Sequence, residues 1–191
     1  MLTRIGLLAT LAFVLCGCAS REITDFRNTS VIYGWVNMDE APSGIYSGQV
    51  QHLNARDKKN SYYTLGVDKF EDGYLFYHLG VDSGGYRMAH LSGQNCLLIF
   101  CSNTIHEYSF GEDSEHRFSV GAPGVYFIGA YDYKKIKTGF FQPGKFSFAK
   151  AKKAPTRRQM LERMLRNVEG DDSPGFAPAL KRMRAELART K

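Results

Sequence analysis

The side chains best suited to nucleophilic, redox or metal chemistry in this 191-residue sequence are its four cysteines and five histidines. Cys16 and Cys18 stand at the end of an apolar run near the start of the chain, and Cys96 and Cys101 lie mid-chain. The histidines, at positions 52, 78, 90, 106 and 116, are scattered. A zinc site needs at least three protein ligands, and only His78 and His90 are near enough in sequence for one hairpin to bring them together. A three-residue loop at Ser83–Gly85 would set them opposite each other, whereas a loop of two or four residues would put them on different faces. A structural pair or no contact is expected, with no metal and no cofactor. Cys96 and Cys101 read as the two ends of one apolar strand, which at about 3.3 Å per residue holds them roughly 16 Å apart. A disulfide needs a Cα spacing of about 5.5 Å. Bonding would require a turn inside Leu97–Phe100, a turn-poor stretch, so two unpaired buried thiols are expected. No His-Glu-x-x-His, Gly-x-Ser-x-Gly, phosphate-loop or dinucleotide-binding motif occurs. No catalytic residue is assigned, and a non-enzymatic protein is expected.

The N-terminal cysteines belong to a different pattern. Arg4 supplies a short positive region, and Ile5 through Leu15 is an uncharged, mostly apolar run. As a helix this run would reach about 17 Å at ~1.5 Å per residue, against a hydrocarbon core of ~30 Å. It therefore reads as the apolar segment of an export signal and not as a membrane span. Leu15-Cys16-Gly17-Cys18 resembles the lipobox of bacterial lipoprotein precursors, with Leu at −3, a small residue at −1 and Cys at the cleavage point. Cys16 fits the modified position less well, because the residue before it, Leu15, is large; Cys at −2 departs from the family's usual Ala, Ser or Thr. The resemblance implies that the lipoprotein signal peptidase reads Leu15 and Gly17 and removes residues 1–17. It also implies that Cys18 carries a thioether-linked diacylglyceryl group and an acyl chain on its new amino group. A single myristoyl chain binds a membrane with only ~10⁴ M⁻¹, but two or three chains hold a protein there durably. Ala19 stands where an Asp would signal retention in the inner membrane. The family rule then places the protein on the periplasmic face of the outer membrane in a Gram-negative cell, or on the outer face of the plasma membrane in a Gram-positive one.

The formal charge of +6 is unevenly distributed. Residues 19–149 hold 12 Lys and Arg against 14 Asp and Glu, whereas residues 150–191 hold 12 against 5. A nucleic-acid-binding body would carry its own basic surface, so no nucleic-acid partner is expected.

These features need elements to position them. Residues 18–30 read as the lipidated N-terminus and a short linker, residues 31–149 as a mainly β domain and residues 150–191 as a basic helical tail. Turn signals recur every 8 to 12 residues through the body, which predicts an antiparallel β-sandwich of roughly eight to ten strands. Strands are expected at Val31–Met38, Gln49–Leu53, Tyr62–Phe70, Tyr74–Leu79, Tyr86–Leu91, Cys96–Cys101, Thr104–Phe110, His116–Val120, Val125–Tyr133 and Lys145–Phe148. Asp72-Gly73 is a two-residue hairpin signal, and with Ser83-Gly84-Gly85 it predicts a three-strand meander. Along Val125–Tyr133 the alternation places Val125, Phe127 and Tyr131 on one face and Tyr126, Ile128 and Ala130 on the other. Trp35 is expected in the core, its indole N–H bound to a carbonyl. Pro123-Gly124 and Pro143-Gly144 mark two of the breaks, and the general pattern, an early Gly-aromatic pair and a late Pro-Gly that leads into the closing strands, resembles the transthyretin-like regulatory β-sandwich modules.

In the tail, Thr156 and Gln159 form a capping box that starts a helix. Met160, Leu161, Met164, Leu165 and Val168 make its apolar face, Glu162 and Arg166 an i,i+4 pair, and Gly170 its end. A second helix starts at Pro178, with Leu180, Met183 and Leu187 as its stripe. The remaining faces carry Arg157, Arg158, Arg163, Lys181, Arg182, Arg184 and Arg189. Packed on the body, the helices leave a solvated basic surface; used as a hairpin, that surface binds an envelope protein, an anionic envelope polymer or lipid headgroups. The function expected is a membrane-anchored envelope lipoprotein whose tail is separable from a folded body. The alternative is a glycan- or peptidoglycan-binding lipoprotein that uses exposed tyrosines.

Overall fold

The computed structural model describes residues 26–55, 61–97, 100–111, 114–138, 145–170 and 174–190. Leu15, Gly17 and Cys18, and the Pro143-Gly144 pair, lie outside the described residues. The protein is mainly β with two C-terminal helices, as its patterning predicts. Among the described residues there are nine strands: β1 (Ser30–Asn37), β2 (Ile45–His52), β3 (Tyr62–Phe70), β4 (Gly73–Val81), β5 (Gly84–Leu97), β6 (Phe100–Ser109), β7 (Arg117–Val120), β8 (Val125–Ile136) and β9 (Lys145–Lys150). Helices α1 (Arg157–Glu169) and α2 (Ala177–Arg189) follow.

The strands form one continuous sheet in the order β6-β5-β2-β3-β4-β1-β8-β9, with β7 paired to β5. Strand β3 is where the sheet turns over: residues 62–65 pair with β2, and residues 66–70 pair with β4. The sheet thus curls over a core of its own side chains, among them Ile32, Val50, Phe76, Met88 and Ile128. Its two ends meet through rings and not through a ladder. Phe110, just beyond β6, stacks on Phe148 of β9 with centroids 4.0 Å apart, and Tyr108 packs edge-on to Phe146.

Strand β1 shows why the fold has two cores. Seven of its eight residues are buried, and the two-residue period of a strand sends them alternately to opposite faces. Ile32 and Val36 enter the core inside the curl, while Val31, Tyr33 and Trp35 enter a second core roofed by the helices. Strand β4 divides likewise, with Phe76 inward and Leu75 under the helices. Burial on both faces fits a central strand, and β1 pairs antiparallel with β4 and parallel with β8.

Local sequence misplaces several features. First, β4 and β5 are not a hairpin pair. Strand β4 is occupied on one edge by β3 and on the other by β1, so β5 crosses to the far side of β2. The expected meander is therefore only its β3–β4 half. At that crossing Gly84, at φ 152°, packs where an added Cβ would lie 2.1 Å from Nε2 of His52. Second, the face assignment along β8 changes at Gly129, which sits at φ 131° beside a register shift opposite Tyr33 and Trp35. This bulge advances the phase by one residue, so Ala130 faces the helices and Tyr131 and Tyr133 face the inner core. Third, Cys96 and Cys101 do not lie on one strand. They belong to β5 and β6 and stand opposite each other across that ladder.

The β3–β4 turn is also one residue earlier than Asp72-Gly73. Phe70 pairs with Gly73, which makes Glu71 and Asp72 the connecting residues, and among the described residues Glu71 is the one non-glycine residue with positive φ, at 54°. Gly73 serves a different need. A Cβ there would lie 2.4 Å from Cζ2 of Trp35, whose Nε1–H donates to the Phe70 carbonyl at 3.2 Å. Because a left-handed conformation disfavours residues with a Cβ, Glu71→Gly is expected to raise the unfolding free energy by about 0.5–1 kcal/mol. Urea denaturation measures this, and an unchanged or lower midpoint contradicts it.

The tail folds as its caps predict. Thr156 and Gln159 make both reciprocal bonds of the capping box, Gly170 follows the last turn, and Pro178 lies in the first turn of α2. The i,i+4 pair differs. Glu162 is held by Arg158 at 3.1 Å, one turn before it, in place of Arg166.

Candidate functional site

Polar and ionisable groups gather at several places, among them the helical face next to the chain's entry, a cleft where the sheet ends meet, and a His-Tyr-Asp cluster at the β4–β5 crossing.

On the helical face, six of the seven basic residues singled out from sequence have partners within the fold. The guanidinium of Arg157 lies 4.6 Å above the Phe127 ring. Arg158 donates to the Thr190 carbonyl at 3.1 Å, closing the C-terminal end of α2. Arg163 grips Asp68 of β3 through two bonds of 2.6 and 3.1 Å, and Asn167 adds a third. That grip holds the Asp68 carboxyl below the usual carboxylate range. Arg182 donates to the carbonyls of Phe26 and Arg27, Arg184 to Glu169 at 2.8 Å, and Arg189 lies 3.9 Å from Glu186. Lys181 is exposed and has no partner among the described residues. Arg163 and Arg182 therefore tie the helices to the body and to the incoming chain. Exposed pairs such as Arg184–Glu169 are weak and do not cancel the excess of 12 basic over 5 acidic side chains in this segment.

The chain enters beside α2. Phe26 packs edge-on to Phe176 with centroids 5.1 Å apart, and its carbonyl takes the Arg182 bond at 2.7 Å. Phe26 lies eight residues after Cys18. Residues 18–26 can span at most roughly 28 Å.

At the meeting of the sheet ends, a cleft of about 330 Å³ opens between the β1–β2 loop, β6, β8 and β9, with Tyr108, Tyr133 and Phe146 as its aromatic wall. His106, Glu107, Lys135 and Lys145 add ionisable groups. Glu40 at its edge accepts bonds from Lys134 Nζ and the Lys135 N–H, which lower its carboxyl below the ordinary range. Tyr108 and Tyr133 are only 3% and 6% exposed, so little of either ring is open to a ligand. No periodicity marks this cleft; only the ring-on-ring approach of β6 and β9 assembles it. The tyrosines with open faces, Tyr46 and Tyr62 at 51% and 46% exposure, lie on β2 and β3 instead.

The third cluster is half-buried. His78 Nδ1 accepts the Gly80 N–H at 3.0 Å, and burial pushes its imidazole down to about 4. Tyr63 packs edge-on to His78 and donates to Asp82 at 2.8 Å, while Tyr86 donates to the Asp82 carbonyl and stacks on His52. His90 is elsewhere, paired with Gln49 and Ser109. His78 and His90 are thus not brought together, since β4 and β5 do not pair. Among the described residues no three His, Cys, Asp or Glu side chains are grouped as a metal site.

No known family model, no curated protein and no solved structure matches this chain.

Proposed function

We propose that this chain is a lipoprotein of the bacterial envelope, held on a bilayer by acyl chains on Cys18 and acting there as a non-enzymatic structural or protein-interaction module. The observation that carries this reading is the Leu15-Cys16-Gly17-Cys18 lipobox behind an apolar run too short to cross a bilayer. The fold supports it in one respect: the first described residue, Phe26, is docked on Phe176 and Arg182. An anchor at Cys18 would keep α2 close to the lipid surface, with Lys181 and the solvent side of Arg184 toward anionic headgroups, an anionic envelope polymer or an acidic partner. Each Lys or Arg near such a surface contributes about 1 kcal/mol. The test is Cys18→Ser in the full chain. The variant should remain at precursor size and leave the detergent phase in a partition assay. A variant that matures normally and still partitions into detergent overturns the reading.

A second reading, binding of a glycan or peptidoglycan fragment, draws on the aromatic cleft of about 330 Å³. A fragment at 100 times its dissociation constant should add about 2.7 kcal/mol of stability. Thermal-shift titration with cell-wall fragments measures this, and the shift should vanish in Phe146→Ala. No shift with any fragment retires this reading.

A further inference from the structure

We infer that Cys96 and Cys101 form a disulfide across the β5–β6 hairpin. Strand β5 ends at Leu97 and β6 begins at Phe100, and the register sets Leu97 opposite Phe100 and Cys96 opposite Cys101. Directly opposed residues of an antiparallel ladder have Cα atoms about 4.5 or 5.5 Å apart, depending on which kind of pair they form. Either spacing lies within the ~4.4–6.8 Å range of disulfides, and opposed residues share one face of the sheet.

The juxtaposition depends on a specific irregularity. From His90–Ser109 to Gln94–Ile105 the two strands run in constant register. Continued unchanged, that register would put Cys96 opposite Asn103. A shift between Gln94 and Cys96 brings Cys101 there instead. The irregular stretch is secured by side chains: Gln94 Nε2 donates to the Ser102 carbonyl, and Ser102 Oγ donates to the Thr104 carbonyl. The bulge that interrupts the ladder is what aligns the two sulfur-bearing residues. Strand β6 is the last strand on that side of the sheet, so a bond there would pin the tip of an edge hairpin.

Bond formation needs an oxidant, here a disulfide-bearing thiol compound or oxidoreductase. One cysteine thiolate attacks the oxidant's disulfide, forming a mixed disulfide and releasing one thiolate. The second cysteine attacks the first cysteine's sulfur and releases the other. Two thiols are oxidised, one disulfide is reduced, and the two protons leave with the released thiols. Because the second thiol is held opposite the first, its attack is intramolecular and the mixed disulfide does not accumulate.

The pairing follows from the register alone; the envelope location proposed above supplies an oxidising compartment. Both are read on one tryptic peptide. Residues 88–117, between Arg87 and Arg117, contain no Lys or Arg before Arg117 and no cysteines other than these two. The purified full chain is equilibrated with oxidised glutathione, acid-quenched, alkylated in denaturant and digested. The expected peptide is lighter than the reduced form by two hydrogen atoms and takes no label, and after reduction it takes two. Glutathione retained on either thiol, alkylation of both, or a crosslinked dimer overturns the pairing. The same peptide, taken from cells under acid quench, reports the compartment: labelled there but oxidised in the glutathione mixture, it would count against export and uphold the pairing.

Discussion

Deleting residues 151–191 is expected to abolish cooperative folding, not to release an intact β domain. Seven buried residues of the second core, Met160, Leu161, Met164, Leu165, Val168, Ala179 and Met183, belong to the helices. Without them Val31, Tyr33, Trp35 and Leu75, all at most 2% exposed in the intact fold, would face water. Burying one large apolar side chain contributes about 1.5–3 kcal/mol, and a whole domain's stability is about 5–15 kcal/mol. Removing the helices therefore costs more than the protein has to spare. The Arg163–Asp68 grip and the Arg182 bonds to the entering chain go with them. Circular dichroism during urea titration should show no cooperative transition for the truncated chain. A truncated chain that unfolds in one sharp transition near the wild-type midpoint would contradict the two-core account, and would restore the separable tail expected from sequence.

The second large effect is on pH dependence. The folded state holds His78 neutral: burial lowers its imidazole from the ordinary 6.5 to about 4, and its unprotonated Nδ1 accepts the Gly80 N–H. An unfolded chain takes up this proton near 6.5, so below that pH the unfolded state binds more protons and stability falls. The contribution is fully present above about pH 6.5 and is lost as the pH drops towards 4. At ~1.4 kcal/mol per pH unit the total is about 3 kcal/mol. His78→Asn can keep an acceptor for the Gly80 N–H without a titrating ring. The stability difference between wild type and this variant should therefore shift by about 3 kcal/mol between pH 6.5 and pH 4, against the wild type at the acid end. Parallel pH profiles for the two proteins would contradict the burial argument.

What was legible in the sequence was local. The Thr156–Gln159 capping box, Pro178 at the start of α2 and the apolar stripe from Met160 to Val168 each depend on residues within a turn or two of one another, and each is realised. Trp35 was legible for a related reason, since a lone indole in an apolar strand needs burial and a carbonyl for its N–H. The parallel pairing of β1 with β8 joins segments more than ninety residues apart, and no periodicity within either strand encodes its neighbour. The face change along β8 hangs on the backbone of Gly129, which a two-residue alternation cannot anticipate. The Cys96–Cys101 hairpin was hidden because the residues between the cysteines are apolar and carry no turn signal. The aromatic cleft was hidden because Tyr108 and Phe146 meet only when the sheet has curled. The roles of individual basic residues were also hidden, because sequence shows charges without their partners: Arg158, Arg163 and Arg182 are engaged in holding the helices in place.

The most direct measurement is the mass of the N-terminal peptide of the protein purified from its own cell envelope. It should begin at Cys18 and carry a diacylglyceryl group on sulfur with an acyl chain on nitrogen. A peptide that begins at any other residue, or that contains Cys18 with an unmodified thiol, would contradict the account.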